Sequence, residues 1–359
     1  MKFSLKLFFS FAQISRKRQN LGNTLKLQMS LISVACVMII LAGLKAAQAI
    51  VVPFLLAIFI TVLVSPLVLY VQKIRVGRVF SFLIITFAFV AIMIFFGAVI
   101  FDAIREFSAR LPELQARFNG VMQGVSDKLT HFGVQFDVQS LGVDPNEVAA
   151  QVSALLRKTG SIISTGFFIF IMVSFMVFES SVMDEKIRYF CQRSRATHTF
   201  VKKFASNLKR YLLIKTIASA CTGALIGLGL WALGVPYAAL WGILAFVLNF
   251  IPTIGSIVAV FPTLFVTLST MDMSVSVWVV ALYLAVNVAI GNVIEPRFLG
   301  QGLGLSTISV LAGLLLWGFV LGIGGLFLAV PLTMSIQIAL ASNDKTKSIA
   351  TLLGNKVEK

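Results

Sequence analysis

The apolar positions of this chain gather into long blocks rather than alternating with polar ones. Four blocks run over about residues 27–44, 47–70, 79–101 and 161–178, a fifth over 212–233 and a sixth over 274–294. Each approaches the roughly 20 residues, about 30 Å of helix, that a bilayer core requires. The pattern predicts an all-α, polytopic helical membrane protein with about six long spans.

Two further apolar stretches are interrupted. After Gly234 the breaks fall at Pro236, Asn249, Pro252, Gly255 and Pro262, and later at Gly300, Gly302, Gly304, Gly322, Gly324, Gly325 and Pro331. Backbone groups freed by such breaks cannot face lipid, so the segments must be buried in protein or line an aqueous cavity. Paired, interrupted apolar segments are also the best sequence pointer to a transporter's substrate site. Residues 237–269 and 305–340 therefore read as two broken or re-entrant helical hairpins on either side of the sixth span; if both arms cross fully, the parity of the topology is unchanged. An internal echo, Trp241-Gly242 before Ala259-Val260-Phe261-Pro262-Thr263 and Trp317-Gly318 before Ala329-Val330-Pro331-Leu332-Thr333, hints at related units, although the intervening lengths differ.

Residues 102–160 carry a heptad signal. Ile104, Phe107, Leu111, Leu114, Phe118, Val121, Val125 and Phe132 follow 3-4 spacing, with Leu129 off the strict register. Such a seam argues for helix against helix, either between subunits or within one. Pro112 should kink or split that helix. Asp144-Pro145-Asn146-Glu147 then has the form of a helix start, with an acidic N-cap and proline at N1.

Composition and charge turn this pattern into a topology. Apolar residues make up 58% of the 359 positions and charged residues 12%, half of what a soluble domain carries. The net charge of +16 raises nucleic acid as a partner, but Lys and Arg fall in runs beside apolar segments and build no basic face. Lys73, Arg75 and Arg78 lie in one loop without an acid, and residues 180–210 hold eight Lys or Arg against two acids. Both loops are cytoplasmic by the positive-inside rule, which places both termini inside and residues 102–160 outside. The domains expected are a basic cytoplasmic tail (1–27), three spans (28–101), an extracytoplasmic helical segment (102–160), a fourth span with its basic loop (161–211), a transport core with broken hairpins (212–341) and a cytoplasmic tail (342–359). An interfacial amphipathic helix is the competing reading of the first 27 residues. Cys36, Cys191 and Cys221 form no framework of paired cysteines and are expected as free thiols.

The candidate chemistry is sparse. From Thr216 to Asn343 the charged residues are Asp272, Glu295 and Arg297, and an ionisable group between apolar spans is by default a functional-site hypothesis. Asn249-Phe250-Ile251-Pro252-Thr253-Ile254-Gly255 puts an amide, a proline and a glycine at a hairpin tip, where a helix end leaves backbone groups free for a ligand or for the tip's own packing. Asn292 and Glu295 share a face if the segment is α-helical, and Pro296 should end or kink it. Arg297 either pairs with Glu295 or anchors the membrane edge; Asn287 lies further up the same span. Gly-x-Ser-x-Gly, His-Glu-x-x-His and Gly-x-x-x-x-Gly-Lys patterns are absent, and the two histidines, His131 and His198, are predicted on opposite sides of the membrane. No catalytic residue, metal site or cofactor is expected.

Asn249 to Gly255, Gly291-Asn292-Val293-Ile294-Glu295-Pro296-Arg297-Phe298-Leu299-Gly300 and Gly302-Leu303-Gly304-Leu305-Ser306 resemble the signature region of the autoinducer-2 exporter family. Val52-Pro53-Phe54 and Tyr211-Leu212-Leu213-Ile214-Lys215 extend the resemblance over about residues 25–355. It implies a multi-pass transporter of the bacterial inner membrane, exporting the quorum-sensing furanone autoinducer-2 and assembled as a homo-oligomer, expected to be a pentamer. Other members resemble sodium/proton antiporters, so a cation/proton antiporter is the alternative. A non-transporting scaffold built on the heptads is the third reading. Expected partners are the lipid bilayer, a small polar solute and a coupling ion, proton or sodium. The expected substrate path comprises Asn249, Pro252, Thr253, Gly255, Asn287, Asn292, Glu295, Arg297, Gly300, Gly304 and Ser306.

Overall fold

The computed structural model describes residues 28–29, 31–73, 78–131, 159–191, 195–252, 254–299, 305–342 and 346–354. The basic tail 1–27, the helix start at Asp144, the last residues of the C-terminal tail and the site candidates Thr253, Gly300 and Gly304 lie outside them. Apart from an isolated bridge between Leu305 and Gly354, the regular elements of the described residues are helical.

Helices α1 (Leu31–Ala46), α2 (Gln48–Lys73), α3 (Arg78–His131) and α4 (Thr159–Cys191) form the first half. α2 and α4 pack through Ala57, Val173 and Val177, with the Thr61 hydroxyl donating to Met176 Sδ at 3.7 Å. Large apolar side chains elsewhere point outward, among them Ile39 at 70% and Phe87 at 76% exposure. So many exposed large apolar side chains are what lipid covers and water does not. Cys36 and Cys221 are free thiols, both exposed.

α3 runs for 54 residues, about 80 Å, and passes Pro112 without splitting. The helix is not split there, and Leu111 and Leu114, one and two residues from the proline, are both held in packing. Phe107, Leu111, Leu114 and Phe118 are buried in the same cluster as Trp241, Ala245 and Phe265. The Phe107 ring meets Tyr237 and Trp241 edge-on at 5.9 and 6.2 Å, and Phe118 lies 5.1 Å from Phe265. Four residues of the heptad seam, Phe107 to Phe118, therefore pack within the chain, onto its second half.

That half is built around α5 (Arg195–Ala232). Gly234, at φ 73°, and Tyr237, at φ 61°, reverse the chain into α6 (Ala238–Leu248), and a turn at Asn249–Pro252 leads into α7 (Ile254–Thr270). α6 is 11 residues long, about 16 Å, and ends midway along α5. The two helices cross in contact because small residues meet there: a side chain on Gly223 would collide with the Gly242 carbonyl at 2.7 Å, and one on Gly242 would press on Gly227. At the tip, Gly255 has no room for a side chain beside the Leu248 carbonyl. α8 (Met273–Asn287) follows, with exposed Asp272 at its N-cap position, and passes into a π-helix, Val288–Ile294, and α9 (Glu295–Leu299).

The 35 mostly apolar residues of α10 (Thr307–Ala341) suffice by length to cross a membrane, yet they fold back on themselves. Gly322 sits at φ 63°, ψ −148°, a conformation essentially restricted to glycine. Trp317 Nε1 donates to Thr333 Oγ1 at 3.2 Å across 16 residues, which a straight helix would hold about 24 Å apart. The hairpin tip docks near α1 and α2, where Lys45 Nζ lies 3.6 Å over the Phe319 ring and Val52 fills the space beside Gly324. The Trp-to-Thr bond is not repeated in the first hairpin, where Trp241 donates to the Pro236 carbonyl and Thr263 bonds Tyr283 instead.

The hairpins enter from opposite ends of α5. The first opens where α5 finishes, with Leu230, Val235 and Ala238 in one cluster; the second opens beside Leu208 and Leu212, against Leu305 and Ile338. They meet midway, where Ile251 packs among Leu314, Trp317 and Leu321, and the Phe250 and Phe327 rings are 6.4 Å apart. A short helix, α11 (Lys347–Leu353), closes against the second hairpin through the Ser306 N–H to Leu353 carbonyl bond.

Candidate membrane-embedded polar site

One face of α5 supplies the polar groups. Tyr211, Lys215, Ser219 and Thr222 are spaced by four, four and three residues, so helical geometry stacks them on a single stripe, and all four are buried. Ile226 and Leu230 continue the stripe as apolar residues. The polar half therefore ends near the level at which the first hairpin turns.

Two partners approach this stripe. Asn249, capping the end of α6, donates from Nδ2 to Ser219 Oγ at 3.0 Å, with both residues buried. One turn earlier, Lys215 Nζ donates to both carboxylate oxygens of Glu295, at 2.8 and 2.9 Å. The side chains of that pair are 4% and 13% exposed. Taking two charges out of water is expensive, and close two-oxygen contact offsets the cost better than a single hydrogen bond would. Below the pair, Arg210 donates to the Phe298 carbonyl at 3.1 Å, holding α9 to α5.

The π-helix explains how Glu295 reaches Lys215. Pro296 has no N–H, and in an α-helix its ring collides with the carbonyl four residues back. The wider turn before it keeps the chain helical, with the Glu295 N–H bonded to the Ile290 carbonyl five residues earlier. Pro296 therefore does not end the segment, which continues to Leu299. The wider turn also carries Asn292 off the face of Glu295: Asn292 is exposed, while Glu295 turns inward.

The remaining sequence candidates divide. Gly255 and Pro252 shape the tip beside Asn249. Asn287 is half-buried and leans over Gly291, where a side chain would lie 3.2 Å from its Oδ1. Arg297 is exposed, and Glu295 pairs with Lys215 instead. Ser306 caps α10, accepting from the Ser309 N–H at 3.2 Å, and has a structural role there. Thr216 and Thr222 carry buried hydroxyl oxygens with no hydrogen-bond partner.

Residues 34–343 match the model of the AI-2E family transporters. The chain belongs to that family. It is similar to the AI-2 transport protein TqsA of Escherichia coli strain K12, 34% identical over 326 residues that cover 90% of this chain and 95% of TqsA. A Haemophilus influenzae protein that bears a transport-protein name without a substrate is 37% identical over 347 residues, 93% of this chain and 98% of its own length. Family and relatives are transport proteins, and the long apolar helices are those of a membrane protein. What the sequence reading of this AI-2E transporter missed was Lys215, Ser219 and Thr222. Lys215 stands next to a loop rich in Lys and Arg and reads as part of it; the signal was its place inside the apolar block, past Leu212 and Leu213, with one acid available as partner.

Proposed function

We propose that this protein exports a small, polar, uncharged solute from the bacterial cytoplasm, autoinducer-2 being the leading candidate, through the bacterial inner membrane with both termini inside. One observation carries the reading: two hairpins from opposite ends of α5 converge where Asn249 meets Ser219, above a charge-neutral Lys215–Glu295 pair. Amides and hydroxyls that both donate and accept suit a hydroxylated solute, and the unpartnered Thr222 hydroxyl adds capacity one turn beyond Ser219. Asn249, with Pro252 and Gly255 at the tip, and Glu295 are the candidates that carry the path; Asn292 and Arg297, both exposed, would act at its mouth. The same proposal includes a homo-oligomer, a pentamer by resemblance, a role in quorum sensing and no catalytic activity. Efflux of labelled autoinducer-2 from proteoliposomes tests it. Flux above empty liposomes that falls in Asn249→Ala supports the reading, and flux equal to empty liposomes under every imposed gradient rejects it.

A cation/proton antiporter is the second reading, favoured by the largely buried carboxylate of Glu295 between membrane helices. Sodium-driven proton movement in the same liposomes, lost in Glu295→Gln, would replace the exporter reading with this one.

A further inference from the structure

Glu295 is the sole acid between Asp272 and Asp344, and a carboxylate among membrane helices is the natural seat for a hard cation, which takes oxygen ligands. Here the chain fills that seat itself. We propose that Lys215 is a specificity-determining residue: a tethered cation that occupies the Glu295 seat, excludes sodium from it, and makes transport by this chain independent of a sodium gradient.

Geometry and donor chemistry both support this. The ammonium engages both carboxylate oxygens, at 2.8 and 2.9 Å, leaving neither free for a metal ion on that side. Lys215 is fixed by its helix: it is 4% exposed, on the buried stripe of α5 between Tyr211 and Ser219, so it is not a surface lysine that swings in. An ammonium has three donors and no acceptor, so it stands in for a bound cation and cannot ligate one. On the other side of the pair, the π-helix turns Glu295 toward α5, and a π-turn inside a helix is a feature found frequently at functional sites. Arg297, the nearest other cation in sequence, is exposed and does not hold the seat.

The effect on flux rests on the transporter reading; occupancy of the seat does not, and the test separates them. Purified full-length protein is assayed for binding of radioactive sodium. Wild type is expected to show no saturable binding. Lys215→Met and Lys215→Gln are expected to show saturable sodium binding that wild type lacks, and the double variant Lys215→Met/Glu295→Gln is expected to lose that binding. Two results overturn the proposal: saturable binding to wild type that Glu295→Gln abolishes, as when sodium displaces the lysine, or folded Lys215 variants that bind no more than wild type. If both Lys215 variants aggregate, thermal unfolding of wild type and Glu295→Gln in sodium against choline decides. Equal Tm in the two salts for wild type supports the proposal, and a sodium-dependent rise in wild type that Glu295→Gln lacks overturns it. In proteoliposomes, wild-type solute efflux is expected to be unchanged when choline replaces sodium. Efflux absent in both salts counts against the exporter reading and leaves the binding result standing.

Discussion

Lys215 and Glu295, 80 residues apart in sequence, share a two-oxygen ion pair at 2.8 and 2.9 Å inside the membrane-spanning bundle. Removing one partner of such a pair leaves an uncompensated buried charge, at a cost of about 3–5 kcal/mol, whereas replacing both with apolar residues is often neutral. Lys215→Met and Glu295→Met should therefore each lower the unfolding midpoint in detergent, and the double variant should recover most of the loss. A double-mutant cycle by thermal unfolding reads this directly. Two single variants that unfold with wild type would show that the pair contributes nothing to the fold.

Asn249 joins the tip of the first hairpin to α5 through its bond to Ser219. Ser219→Ala removes one neutral hydrogen bond and should cost about 1 kcal/mol of stability. Asn249→Ala should cost a similar amount and in addition lower solute flux, since the amide at the convergence of the hairpins is the group assigned to the path. Comparing flux after normalising for folded protein separates the two effects. Equal flux in Asn249→Ala and wild type would assign the amide to tip packing alone.

The turn of the second hairpin depends on Gly322. Its dihedrals lie where a side chain costs on the order of 1–3 kcal/mol, although a Cβ there would meet nothing closer than the Gln48 side chain at 3.7 Å. Gly322→Ala should thus destabilise through backbone strain and not through a clash. Gly43→Ala and Gly97→Ala, where an added carbon has no neighbour within 4 Å, serve as controls and should leave the unfolding midpoint near that of wild type. A Gly322→Ala variant as stable as these controls would mean that the chain does not turn back at this residue.

The sequence made the first hairpin readable because Asn249, Pro252 and Gly255 punctuate an otherwise apolar run, each for its own physical reason. The second was readable as a break, but Gly322, Gly324 and Gly325 are equivalent in sequence, and positive φ at one of them is decided by where α10 packs on α2. Lys215 was hidden by its neighbourhood: the positive-inside rule absorbs any lysine near a basic loop, and burial against Glu295 is a tertiary fact. The π-helix was hidden too, because one residue of helical register leaves no mark on composition. That register decides that Glu295 turns inward and Asn292 outward, so the polar motif read as one constellation divides between the interior and the surface.

Packing of the heptad seam within the chain has its own consequence. Phe107 is 2% exposed and Phe118 6%, and both pack on residues of the first hairpin. Truncating a buried phenylalanine costs about 3–5 kcal/mol. Phe107→Ala and Phe118→Ala should therefore speed hydrogen exchange along both α3 and α6–α7, because the two faces protect each other. A seam serving only as contact between copies would respond differently, losing oligomers on cross-linking with exchange in the first hairpin unchanged. Since the hairpin tip carries Asn249, the same substitutions should also reduce solute flux from a distance, through the placement of α6 against α5. Accelerated exchange in α3 with flux and hairpin protection both intact would detach the long helix from the transport site.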